Sequence, residues 1–274
     1  MTAQLTKEGN PAEAAIRRNR RHFVLRRLHS LTGIVPVGLF LAEHLWTNAK
    51  AMQGQVCFGN AVSEIIHLPF LPAIEIFGIF LPLAFHALYG VKLAFESKQN
   101  VGTYGYPRNW MFFLQRVTGL ITLVFIIFHL KDFRIAKLLN QMSHEMFFRE
   151  LGNQLSHTTG RVPLNALFYA LGVAASVFHF ANGIRTFVFS WGITISQRSQ
   201  RYTAWAVAGL GVALWFVGTN TVLYFATGGQ TFIPSSIVRG PGGRDLCEET
   251  MTPTVPEKPT PAVQAPPGAV VAPH

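Results

Sequence analysis

VPLNALFYALGVAASVFHFANGI, residues 162–184, runs for 23 positions without a charge and carries one histidine, His179. As a helix it reaches about 35 Å at ~1.5 Å per residue, enough to cross a hydrocarbon core of ~30 Å. Four more stretches have the same character. Residues 28–46 hold one charge, Glu43, and residues 70–91 hold one, Glu75. Residues 110–130 hold one, Arg116 near the start, and residues 202–225 hold none. Exposed backbone groups find no water inside a bilayer, so all five must be helices. Pro36, Pro82 and Pro163 are compatible, because membrane helices accommodate proline.

Only 13% of the 274 residues are charged, about half of the ~25% usual for a soluble domain. The fold class expected is therefore all-α and integral to the membrane. Its parts are a basic N-terminal segment 1–27, a five-helix domain 28–229, and a proline-rich tail 230–274. The tail from Pro234 holds nine of the 16 prolines and is expected to be disordered. A soluble single-core enzyme, a collagen-like chain and a disulfide-stapled secreted domain are excluded. Cys57 is expected in the first outer loop, and Cys247 reads as a lone thiol in the tail. No cleavable signal peptide is expected, because the first 15 residues are polar and the run from Leu28 is long enough to remain as a span.

The side shared by the N-terminus and the loops after spans two and four carries 14 of the 23 lysines and arginines. The positive-inside rule puts that side in the cytoplasm and the C-terminus outside. RRNRRHFVLRR at 17–27 is then a topology signal and not a nucleic-acid site, although a basic face also attracts an acidic soluble partner.

Spans one to four carry one central histidine each: His44, His86, His129 and His179. A single such residue reads as an interhelical hydrogen bond. Four read as function, because polar groups inside a membrane are costly and imidazole ligates transition metals and haem. His44 lies 16 residues beyond Leu28, about 24 Å along its helix, and His129 lies near the outer end of span three. His86 and His179 lie toward the inner ends of spans two and four. The expected pairs are His44 with His129 (outer) and His86 with His179 (inner), which suits two bis-histidine haems in a four-helix bundle. Zinc suits it poorly, with no thiolate or acidic co-ligand and no tetrahedral cage.

The runs RRLHSLTGIVPVG (26–38), PAIEIFGIFLPLAFHALYG (72–90), TYGYPRNWMFFLQRVTGLITL (103–123) and VFHFANGIRTFVFSWGIT (177–194) resemble the di-haem cytochrome b membrane anchor of succinate:quinone oxidoreductases, the single-chain, five-helix type. The resemblance covers roughly 26–225. It implies that His44, His86, His129 and His179 match four axial ligands of two b haems. It also implies flavoprotein and iron–sulfur subunits on the cytoplasmic face, with quinone (commonly menaquinone) as electron partner. The chain would then be the membrane subunit of a succinate dehydrogenase or fumarate reductase complex in the cytoplasmic membrane, oxidising no succinate itself. It carries neither a nucleotide-binding glycine pattern nor a cysteine cluster. The loop 131–161 looks long for the family, and the tail has no counterpart in it.

His29 and Ser30, with Arg26, Arg27 and Arg116, are expected to contact a propionate of the inner haem. The alternative for Arg116 is a side chain that snorkels to the interface. His22, His144, His157 and His274 read as solvated. Glu75, three helical turns before His86 and level with the outer pair, is the expected proton carrier for quinone chemistry, against the alternative of a carboxylate capping its helix. Glu43 and Asp132 are weaker candidates at the same level. Two other readings stand beside this one: a redox-free channel or transporter using the histidines as a proton relay, and the cytochrome b subunit of a hydrogenase or formate dehydrogenase.

Overall fold

A computed structural model describes residues 11–139, 146–229, 231–233 and 247. Among the described residues, five helical segments are long and apolar enough to cross a membrane: Ala12–Gln53, Leu71–Glu96, Pro107–Leu138, Leu164–Ser190 and Gln197–Thr227. They are called spans one to five here, and "inner" denotes the end carrying residues 12–27.

Span one is longer than its apolar stretch. Its helix runs from Pro11 through the basic residues into the apolar stretch. Ala12, Glu13, Ala14, Ala15 and the arginines that follow are strong helix formers, and the run continues without a break into the apolar turns. Pro36 lacks the N–H that would bond to the preceding turn, and Val35 stands as a single turn residue between Pro11–Ile34 and Pro36–Ala49. The helix nevertheless continues, with Leu39 N–H donating to the Val35 carbonyl at 3.3 Å.

Span three also outruns expectation. Its α-helix Pro107–His129 passes through a π-helical turn, Leu130–Ile135, and ends at Leu138. Much of the expected loop 131–161 is therefore helix, because an amphipathic helix Phe147–Ser156 follows as well. Span two contains the other π-helical turn, Ile74–Phe80. A second short helix, Gln55–Ile66, lies at the outer end.

The packed core sits at that outer end. Leu45, Phe58, Leu155, Tyr169, Val173 and Phe225 are buried there, where spans one, four and five meet the two short helices. The chain after span five folds back onto it. Fully buried Asn220 accepts the backbone N–H of Phe232 at 2.8 Å. Cys247 is bonded to Cys57 on the short helix, across a sequence separation of 190. The lone-thiol reading is thereby corrected: the tail is tied to the first outer loop by a bond that no sequence pattern announced. The expected disorder of 234–246 and 248–274 lies outside the described residues, as do His144 and His274.

Candidate haem-binding site

Spans one to four, with one side of span five and the two short helices, line a cavity of about 930 Å³ that runs from His29 and Arg185 at the inner end to Arg134 and Lys137 at the outer end. All four central histidines line it. His86 faces His179 with ring centroids 6.0 Å apart and planes at 83°. His44 faces His129 at 5.6 Å and 81°. An ion bonded at about 2.0 Å to a nitrogen on each side separates two imidazole centroids by roughly 6 Å. Both pairs therefore leave room for one metal centre between their rings, at two levels of one apolar cavity, and the donor set would fit haem iron.

The inner pair is held by hydrogen bonds. His86 Nδ1 donates to the backbone carbonyl of His29 at 2.9 Å, and His179 Nδ1 donates to that of Gln115 at 3.0 Å. A carbonyl only accepts, so each bond places the proton on Nδ1 and leaves Nε2 with its lone pair. The Gln115 side chain adds a clasp between spans three and four. Its Nε2 donates to the His179 carbonyl at 3.0 Å, and its Oε1 accepts from Asn182 Nδ2 at 2.7 Å.

The outer pair lacks such acceptors. His129 Nδ1 is buried without a partner, and the ring lies among Phe125, Phe133 and Tyr169. His44 stands beside Phe40, and its Nε2 lies 3.4 Å from Asn48 Nδ2. Thr122, Tyr169 and Thr194, which also border the cavity, hold buried hydroxyl oxygens without a hydrogen-bond partner.

Of the residues expected near an inner propionate, His29, Ser30 and Arg116 line the cavity, and Arg26 and Arg27 do not. His29 stacks on His86 at 4.1 Å with planes 9° apart. Ser30 donates to the Arg27 carbonyl and accepts from Trp191 Nε1 at 3.1 Å. Arg116 Nε donates to Ser97 Oγ at 2.5 Å. Arg27 lies over the rings of Phe23 and Trp191, while Arg26 borders a separate groove with His22 and Glu96. Arg108 and Arg185 line the inner cavity instead. The signal for both was their place at an inner span end; Arg185 follows His179 by six residues.

At the outer end Glu75 and Arg134 form an ion pair, Nη2 to Oε2 at 2.6 Å, both about one-quarter exposed. Each lies on one of the two π-helical turns, a feature common at functional sites. Glu43 is satisfied within its own helix by Thr47 at 2.6 Å. Asp132 pairs with Lys131 and does not line the cavity. Arg134 escaped the sequence reading because it lay in a segment taken for loop.

Residues 98–218 match the family model of the succinate dehydrogenase/fumarate reductase transmembrane subunit. The chain is also similar to the succinate dehydrogenase cytochrome b558 subunit of Bacillus subtilis (strain 168), at 46% identity over 205 residues, which is 75% of this chain and 98% of that protein. No solved structure matches. With identity at that level over nearly the whole relative, the chain belongs to the family of succinate dehydrogenase/fumarate reductase transmembrane subunits.

Proposed function

We propose that the chain is the cytochrome b membrane subunit of a succinate dehydrogenase, holding two b haems and passing electrons between soluble partner subunits and a quinone, with menaquinone the type we favour. The observation that carries this reading is the pair of facing, near-perpendicular histidine couples stacked in one cavity. His86 and His179 would hold the inner haem, His44 and His129 the outer. When bound, the haems supply one-electron carriers along the bundle.

The chain's own residues do the rest. His29 and Gln115 carbonyls orient the inner ligands. Arg108, Arg116 and Arg185, with His29 and Ser30, supply the cations and hydrogen bonds suited to carboxylates at the inner end. Quinone reduction consumes two electrons and two protons. Glu75 Oε2, paired with Arg134 at the outer end of the cavity, is the group we assign to deliver protons there. Glu75 would take up a proton from the outer aqueous side and pass it to a reduced quinone oxygen, the resulting carboxylate pairing with Arg134 until the next proton arrives, twice for each quinone reduced; the reverse sequence serves quinol oxidation.

Orientation is supported twice. The lysine and arginine balance favours a cytoplasmic N-terminus, and a disulfide persists in oxidising surroundings, which suits Cys57 and Cys247 outside. The flavoprotein and iron–sulfur subunits would then dock on the basic inner end. Cross-links from 15–30, 95–110 and 190–201 to them are expected; cross-links confined to 131–161 would invert the topology.

The proton-relay reading fits less well, because the Nδ1 protons of His86 and His179 end on backbone carbonyls that cannot hand a proton on. A hydrogenase or formate dehydrogenase subunit is disfavoured by the family match. The test is the purified complex. Dithionite reduction should reveal two b haems per chain, and a complex without b-type absorbance would refute the reading.

A further inference from the structure

Four glycines in the inner half of the bundle follow a polar residue by four positions each: His29 and Gly33, His86 and Gly90, Gln115 and Gly119, His179 and Gly183. The structure interlocks them as two equivalent couples. Between spans one and two, the His86 ring lies over Gly33 so closely that a Cβ there would collide with the imidazole, and the His29 ring lies 3.0 Å from the place of a Cβ on Gly90. Between spans three and four, the His179 ring lies 2.8 Å from the place of a Cβ on Gly119, and Gln115 Nε2 lies 3.6 Å from that of Gly183. In both couples the Nδ1 of the ligand histidine reaches the carbonyl one turn before the glycine it covers, that of His29 or of Gln115.

We propose that Gly33 and Gly119 are positioning residues for the inner haem: each is a seat into which a neighbouring span's imidazole drops, docking Nδ1 on the carbonyl four residues earlier and turning Nε2 toward the iron. The proposal rests on His86 and His179 being haem ligands. Helix geometry explains why the two parts come together. A carbonyl at position i points along the helix toward residue i+4, so a ring approaching it from the side must pass over the side chain at i+4. Any Cβ there blocks the approach at both seats. Each carbonyl is also approached by the threonine hydroxyl just before the seat glycine, Thr32 at 3.1 Å on His29 and Thr118 at 3.5 Å on Gln115, so the imidazole N–H shares an acceptor already engaged within its helix. Hydrogen-bonding Nδ1 raises the basicity of a ligand imidazole, which favours ferric iron and lowers the reduction potential.

The experiment uses the purified complex with Gly33→Ala and Gly119→Ala. Gly172→Ala and Gly218→Ala serve as packing controls, since they crowd Phe125 and Val173 in place of an inner ligand. Haem stoichiometry, the midpoint potential of each haem and its low-spin electron paramagnetic resonance are read out. In the seat variants the inner haem should be lost, or should rise in potential with an altered resonance, while the outer haem keeps both. The controls should leave the inner haem unchanged. An inner haem untouched in both seat variants, or equally disturbed in the controls, overturns the proposal. If neither seat variant accumulates, accumulation of both controls supports it and failure of both overturns it. His86→Ala and His179→Ala are measured alongside. Retention of both haems there sinks the ligand reading itself, whereas loss of the inner haem there with intact seat variants sinks only the seats.

Discussion

The inner and outer histidine pairs have nearly the same spacing and crossing angle, yet they are held by different physics. The inner rings are fixed by directional bonds to carbonyls and by glycines that let the helices approach. The outer rings are fixed by bulk: Phe40, Phe125, Phe133 and Tyr169 surround them, and the residues four positions after His44 and His129 are Asn48 and Phe133, not glycine. The outer end also carries the packed core, the two π-helical turns and the Glu75–Arg134 pair. On the proposed function, one end would hold a carrier in a set orientation, and the other would place a charged pair where protons are exchanged.

The largest effects should come from the ligands. His86→Ala or His179→Ala should remove the inner haem, and His44→Ala or His129→Ala the outer, measured as haem per chain in the purified complex. Retention of both haems in one variant would exclude that histidine, and would break the symmetry between the pairs. Next comes the charged pair. Glu75→Gln should lower quinone-linked turnover by about 100-fold or more, the lower end of what a positioned acid–base group contributes, with both haems retained and succinate oxidation by an artificial acceptor preserved. Unchanged quinone turnover would remove the proposed division of labour between the ends. The smallest effect is the most selective. Gln115→Leu leaves the carbonyl under His179 in place but removes the side-chain clasp, with bonds worth about 0.6 kcal/mol each in membrane bundles. The inner haem should dissociate at a slightly lower temperature and the outer haem should not respond; an equal response of both would show that the clasp supports the whole bundle.

The five spans and the depth of each histidine were legible because charge is scarce in a membrane and helical rise is fixed. Their ends were less legible. Hydropathy stops at Leu28, whereas the backbone helix continues inward through arginine and alanine as far as Pro11. It also stops near Leu130, and a π-helical turn carries span three on to Leu138. Such a turn changes backbone pairing by one residue and leaves no mark in composition, so the partnership of Glu75 with Arg134 was hidden. The glycine spacing at Gly33, Gly90, Gly119 and Gly183 was present in the sequence, but its meaning needed the facing helix. The Cys57–Cys247 bond joins positions too far apart for any local pattern.

That bond has a consequence for how the chain is made. Four membrane crossings separate Cys57 from Cys247, an even number, so the two thiols share a face only when an even number of spans two to five has inserted, as it has when all four have. Omission of any one span would leave the sulfurs on opposite faces of the bilayer with no means of reaching each other. Cys247 follows the last span, so oxidation can occur only after every span has been synthesised. The disulfide is thus a parity check on insertion, written once at the end of biogenesis, and it converts residues 57–247 into a closed covalent ring that a single proteolytic cut cannot separate.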